Sequence, residues 1–305
     1  RKMELDFIKI TLGLFHGNHE SVGCLTAGGT ESILLACKAY SNLGKTRNIK
    51  YPEMIVPLTV HAAFDKAADY YNIKIIKVPV DKDTDMPDLD YIRASINSNT
   101  VLIVGSAPGY PHGIIDPIKE LSDIAINSNV GLHVDCCLGG FILPFINVDR
   151  LYDFQIEGVT SISADLHKYG NSPKGVSILM YNNRELMKQQ FFVQDDWMGG
   201  IYATSTTLGS RSGNNIAMSW ATMMHYGIKG YRDSAKMIDD KCKYFVEEIE
   251  KMEHIEVIGK NPKCAVGIRC KNKNLDIYEI NGEMKERGWN LNALQFPPSI
   301  HICVT

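Results

Sequence analysis

The sequence predicts an α/β protein with a mainly parallel sheet flanked by helices and a smaller C-terminal α+β domain. Three observations carry this reading. Short apolar runs of strand length alternate with longer helical patterns, two of those runs end in an aspartate or a lysine-bearing turn, and a long helical stretch, Tyr231 to Met252, precedes a shorter tail. The chain has 305 residues, 45% hydrophobic and 22% charged, enough for a large core and one smaller unit. The expected division is an N-terminal segment at 1–22, a large domain at 23–228 and a small domain at 229–305.

In chain order, glycines at 28 and 29 run into a helical pattern from Thr30 to Gly44. Glu53-Met-Ile-Val-Pro57 is a short apolar run closed by proline and reads as a strand, followed by a helix from His61 to Tyr71. Ile73 to Val78 is a strand, Asp88 to Asn97 a helix, Val101 to Ser106 a buried strand, and Pro117 to Ser128 a helix. Val130-Gly-Leu-His133-Val134-Asp135 is a strand that breaks at Gly139-Gly140. Ser161 to Asp165 and Gly175 to Tyr181 are further strands, and Asn214 to Tyr226 is helical. There is no internal repeat and no low-complexity tract.

Ser161-Ile-Ser-Ala-Asp-Leu-His167-Lys168-Tyr169-Gly170 reads as a strand delivering one lysine amine to a cleft. An amine held out of bulk water is expected to have a lowered pKa and to be nucleophilic, which suits Schiff-base chemistry with pyridoxal 5'-phosphate. A surface lysine after a strand is the plain alternative. Gly28, Gly29 and Thr30 before a helix form an anion cradle, where backbone amides favour a phosphate, although a glycine pair is also an ordinary tight turn. Asp135 sits at a strand's C-terminal end, the edge where open α/β sheets bind ligands, and there it can pair with a protonated pyridine nitrogen or merely cap a turn. Gly209-Ser210-Arg211-Ser212-Gly213 is a flexible polar loop suited to a second phosphate contact, or simply to the surface.

This order of cradle, strand-end aspartate, strand-end lysine and late Gly-Ser-Arg loop resembles the fold-type I pyridoxal-phosphate enzymes, with the PLP-dependent transferase-like fold. Within them the chain resembles the sphingosine-1-phosphate lyase family, relatives of the group II amino-acid decarboxylases. The resemblance runs from about Gly23 to Thr305, through Leu25 to Ile33, His61 to Lys66, Pro111-His-Gly113, Ser161 to Gly170, Gly199 to Tyr202 and Trp289 to Asn292.

The resemblance implies that Lys168 anchors pyridoxal 5'-phosphate and that Asp135 faces its ring nitrogen. It further implies that His61 stacks on the ring, that His133 orients the site, that His167 helps hold the cofactor phosphate, and that Tyr181 and Tyr202 line the reacting end of the pocket. Lys174, with His16 and His19, would grip the substrate's own phosphate. The implied activity is a retro-aldol Cα–Cβ cleavage of sphingosine-1-phosphate and related phosphorylated long-chain bases to a fatty aldehyde and phosphoethanolamine. The implied assembly is a homodimer with shared sites, in which Ser210 serves the partner's cofactor. The alternatives are an amino-acid decarboxylase of the same fold and a catalytically silent binding protein. Asn171-Ser172, Ser212 and Gly109-Tyr110 depart from the family pattern, the last of these at the pocket wall.

A net charge of −3 provides no footprint for nucleic acid or an anionic membrane surface, so any phosphate must be met locally. The eight cysteines show no metal-type spacing, so no metal site is expected, and they read as reduced thiols of a cytoplasmic or cytosol-facing protein. No stretch reaches the ~18 to 20 apolar residues of a membrane span, whereas eukaryotic relatives carry an endoplasmic-reticulum anchor. The start at Arg1-Lys2-Met3, which reads as mid-helix, and the end at His301 to Thr305, which reads as mid-strand, are expected of a fragment or trimmed chain.

Overall fold

The structure, a computed structural model, describes all of residues 1–305. Its centre is a seven-stranded sheet. The strands are β1 (Val22–Thr26), β2 (Glu53–Pro57), β3 (Lys74–Val78), β4 (Thr100–Ser106), β5 (Gly131–Cys136), β6 (Ser161–Asp165) and β7 (Ser177–Tyr181). Their spatial order is β1-β7-β6-β5-β4-β2-β3, parallel from β6 to β3, with β7 antiparallel to both of its neighbours. The C-terminal ends of every strand except β7 therefore meet at one edge, where α/β sheets bind ligands.

The inner strands β2, β4, β5, β6 and β7 are buried along nearly their whole length because both faces are covered, whereas the edge strand β3 leaves Lys74 and Lys77 exposed. Met54, Val56, Leu102 and Val104 pack under α2 (Gly29–Thr46) and α3 (Ala63–Tyr71), together with Ile33, Ala36 and Phe64. The alternate residues Ile55, Ile103, Leu132 and Val134 face the opposite layer, which includes Phe7 of α1 (Lys2–Leu14), Leu121 and Ile124 of α5 (Ile118–Asn127), and Met223 and Tyr231 of α7 (Gly213–Glu250). Local chemistry sets the helix ends. Asp88 caps α4 (Leu89–Ser95) by accepting from the Asp90 and Tyr91 amides at 3.0 and 2.9 Å, and Asn72 closes α3 in a left-handed conformation. The helical readings at 214–226 and 231–252 belong to one long element, α7, broken at Gly227, whose φ of 58° and ψ of −178° are not helical.

The short helix α6 (Arg184–Lys188) leads into a two-stranded hairpin, β8 (Phe192–Gln194) with β9 (Tyr202–Thr204), which exposes Trp197, Met198 and Ile201. After α7, the strands β10 (Ile255–Val257), β11 (Ala265–Cys270), β12 (Asn292–Leu294) and β13 (Ser299–Cys303) form an antiparallel sheet backed by α8 (Ile277–Glu286). Two contacts seat this sheet beside the large one. The Tyr169 hydroxyl lies 3.1 and 3.0 Å from the carbonyls of Cys264 and Val304, and a Cβ on Gly113 would stand 1.9 Å from the Ala265 carbonyl oxygen, so only glycine permits that approach. No helix is long and apolar enough to cross a membrane.

Candidate active site

A cleft of about 500 Å³ opens at the C-terminal edge of the parallel strands, where the turn after β6 meets the start of α2. Gly28, Gly29, Thr30, His61, Asp165, His167 and Lys168 all line it, so the cradle and the lysine are brought together. The cradle is shaped for close approach. Gly28 has φ 140°, and a Cβ there would lie 3.1 Å from the His167 ring, while one on Gly29 would meet Asp165 Oδ2 at 2.7 Å and Cys137 Sγ at 2.8 Å. Behind them, the 18-residue α2 presents its N-terminal amides and the positive end of its dipole, a ready seat for an anion.

Lys168 stands at the cleft with its Nζ 3.1 Å from Asp165 Oδ2, its side chain 29% exposed and that of Asp165 1% exposed. Its charge state differs from the sequence expectation. Burial acts to lower the amine's pKa, but its interactions with Cys137, Asp165 and Asp135 outweigh burial and push it above the ordinary lysine value. The cleft therefore holds an ammonium rather than a free amine, because the sequence reading took account of desolvation and not of the carboxylate three residues upstream.

His167 is locked. Its Nδ1 accepts from the Gly175 and Val176 amides at 3.1 and 3.2 Å, and its Nε2 lies 3.3 Å from Asp165 Oδ2. His61 lines the mouth, with Nδ1 accepting from the Ala63 amide at 3.0 Å and the ring edge-on to Tyr110 at 6.4 Å. His133 is fully buried between Ser161 and Ser163, and burial lowers its pKa to about 4, so it is neutral at ordinary pH. Ser163 then donates to Asp135 Oδ1 at 3.1 Å, beside the Cys137 amide at 2.9 Å. His133 and Asp135 thus share one sheet face through Ser163, as strand alternation predicts. Asp135 lies one layer behind Cys137 rather than in the cleft lining, and its Oδ2 is left for another donor.

Other sequence candidates are placed elsewhere. Tyr181 ends β7, which runs away from the cleft, so this tyrosine is buried at the opposite sheet edge and donates to Gln190 Oε1 at 2.7 Å. A five-residue strand of about 17 Å separates the two edges, and Tyr181 does not line the reacting end. His16 and His19 precede β1 at that same far edge, with His16 paired to Asp153 at 2.7 Å and His19 to Glu20 at 3.3 Å. Neither reaches the cleft of its own chain. Tyr202 sits on the exposed hairpin against Phe192 and Trp197, outside the cleft lining. Ser210 is exposed and also outside the lining, while its neighbour Arg211 is held by Glu4 at 2.5 Å and the Leu25 carbonyl at 3.0 Å and does not line the cleft. Lys174 is exposed near the turn, its Nζ donating to the His167 carbonyl at 3.1 Å with no acidic partner.

Three cleft residues escaped the sequence reading. Asp165 and Cys137 line the wall beside Lys168, and Glu31 ties the cradle to the 205–212 loop by accepting from the amides of Ala27 and Thr207, the latter at 2.8 Å. The acid in Ser-Ala-Asp165, three residues before the lysine, was the available signal.

Residues 5–271 match the family model described as the pyridoxal-dependent decarboxylase conserved domain. The chain belongs to this family. It is 45% identical to sphingosine-1-phosphate lyase 1 of Rattus norvegicus over all of this chain and 54% of that protein, and 48% identical to the sphingosine-1-phosphate lyase of Arabidopsis thaliana over 93% of this chain and 52% of that one. The chain thus spans about half the length of these curated relatives. Among solved structures, the sphingosine-1-phosphate lyase of Burkholderia pseudomallei K96243 superposes with a TM-score of 0.96 at 40% identity, over all of this chain and 72% of that one. A glutamate decarboxylase of Lactobacillus brevis superposes at 0.88 with 22% identity, which shows the shared fold. The residues fit the cofactor this family uses: an amine in the cleft, a glycine-floored helix N-terminus for its phosphate, and an aspartate oxygen without a partner behind them.

Proposed function

We propose that this chain supplies the catalytic fold of a pyridoxal-phosphate-dependent lyase that cleaves phosphorylated long-chain bases, sphingosine-1-phosphate among them, to a fatty aldehyde and phosphoethanolamine. One observation carries the reading: the Lys168 amine and the Gly28–Thr30 cradle face each other across a single cleft. The relatives named for this activity, at 40 to 48% identity, support the lyase reading.

Bound there, the cofactor supplies an electron sink for the pair released when the Cα–Cβ bond breaks. Lys168 would anchor it through its amine at the cleft. The amides of Gly29 and Thr30 would hold its phosphate, and Asp135, fixed through Ser163 and the Cys137 amide, would offer its free oxygen to a protonated ring nitrogen. His133, neutral and hydrogen-bonded to both serines, keeps that carboxylate in register. His61, at the mouth, would cover the ring. Lys174, an exposed cation without an acidic partner, suits the substrate's phosphate, and anchoring of that phosphate would align the bond to be broken.

The active unit we propose is a homodimer. Ser210 and Tyr202 lie outside the lining of their own cleft, on a loop and an apolar hairpin that a partner would cover, which suits service to the neighbouring site. The anchor is tested by mixing the protein with pyridoxal phosphate and reducing with borohydride. A label on the peptide containing Lys168 is expected, and a label on another lysine, or none, overturns the assignment.

A further inference from the structure

Asp165 is the least explained charged group at the cleft. It ends β6 at 1% exposure, and its Oδ2 serves both Lys168 Nζ at 3.1 Å and His167 Nε2 at 3.3 Å. Its Oδ1 is buried with no partner at all, directly beneath Gly29. A carboxylate kept only for stability is expected to satisfy both oxygens, since an unmatched buried acceptor costs about 1–3 kcal/mol. Asp135 cannot do the same work, because its Oδ1 is committed to Ser163 and the Cys137 amide and it lies behind the cleft wall.

We propose that Asp165 is a positioning residue for the lysine anchor: its carboxylate holds the Lys168 amine as an ammonium aimed at the cradle, and thereby sets the pH at which that amine can accept an aldehyde. The proposal deepens the lyase reading, because it rests on Lys168 as the anchor. Condensation of an ammonium with an aldehyde forms the C–N bond, expels the carbonyl oxygen as water and leaves the positive charge on nitrogen. The same counter-charge therefore serves the amine before and after attachment, and catches it when the substrate displaces it.

The geometry and the charge balance agree. Despite its burial, Asp165 is held below the usual carboxylate range by His167 and Lys168, so it is ionised where Lys168 needs it. The other groups facing the amine are Asp135 and Cys137 from the end of β5 and the turn after it, His167 beside it, and Tyr110, Cys264 and Cys303 across from it. Burial keeps the Cys137, Cys264 and Cys303 thiols protonated, which leaves the two aspartates as the standing negative charges.

The test uses the cofactor-free chain and does not depend on turnover. Lysines are reductively methylated with 13C-formaldehyde, and the Lys168 resonance, assigned by its loss in Lys168→Arg, is titrated against the surface lysines of the same sample. Lys168 is expected to titrate above them. Asp165→Asn is expected to lower its pKa by at least one unit, a tenfold rise in free amine at a given pH, Asp165→Glu to restore it, and Asp135→Asn to shift it less. An unchanged Lys168 in Asp165→Asn overturns the proposal. If Asp165→Asn does not fold, the wild-type titration decides: a Lys168 at or below the surface lysines refutes it. Absence of aldehyde release in a separate assay would count against the lyase reading and leave this titration intact.

Discussion

Replacing Gly28 by alanine tests whether the cradle is built by backbone approach. At φ 140° a side chain costs about 1–2 kcal/mol in backbone strain. The new Cβ would also stand 3.1 Å from His167, a few tenths of an ångström too close, and that ring cannot yield without losing the Gly175 and Val176 amides at Nδ1 or Asp165 at Nε2. Losing one such bond adds roughly 1 kcal/mol. The sum, about 2–3 kcal/mol, lowers the melting temperature by roughly 3–5 °C in a protein of this size. Because the strain lies where the phosphate amides converge, cofactor affinity falls at least tenfold. Calorimetry reads the first effect and an absorbance titration with pyridoxal phosphate the second. The control is Gly13→Ala on α1, where a Cβ meets nothing within 4 Å and added helix propensity contributes about 0.5–1 kcal/mol of stability. A Gly28→Ala protein with wild-type stability and affinity would refute the reasoning.

Two buried groups make opposite contributions to pH dependence. His133, held at about 4, keeps the folded chain from taking a proton that the unfolded chain takes below about 6.5, so its stabilisation is lost as pH falls through that window. Asp116, fully buried and pushed up to about 7 chiefly by burial, keeps a proton that the unfolded chain has lost above about 4, so its stabilisation is lost as pH rises towards 7. Each slope approaches 1.4 kcal/mol per pH unit where only one state is protonated. Relative to wild type in urea melts between pH 4.5 and 6.5, Asp116→Asn should gain stability with rising pH and His133→Gln should lose it; parallel curves would contradict both assignments. Glu31→Ala removes the carboxylate that joins the Ala27 and Thr207 amides, and hydrogen exchange should quicken over residues 205–210 with little change in the sheet. Unchanged exchange there would show that Glu31 does not hold the loop. Tyr40→Phe leaves Thr160 and Ser161 without the hydroxyl they share at 2.7 Å and should cost about 1–3 kcal/mol in a urea melt, with cofactor binding intact.

Much of the fold was legible because burial on both faces writes itself as continuous apolar runs, as in Val101 to Ser106, and because glycines and aspartates punctuate strand ends at Asp135 and Gly28. Direction was not legible. Ser177-Ile-Leu-Met-Tyr181 reads identically for a parallel and an antiparallel strand, and only the structure shows that it runs backwards and carries Tyr181 away from the cleft. His16 and His19 failed for a related reason: proximity in sequence to Gly28 concealed the length of β1 between them. The charge on Lys168 depends on a carboxylate whose reach across the Asp165–Lys168 turn is a matter of three-dimensional geometry, so burial alone suggested the opposite sign.

The measurement that bears most directly on the central claim is aldehyde release from sphingosine-1-phosphate by the pyridoxal-phosphate-loaded protein, with Lys168→Ala alongside. Fatty aldehyde from the wild type and none from the variant is the predicted result. Cofactor bound at Lys168 with no aldehyde, and carbon dioxide released from an amino acid instead, would contradict it.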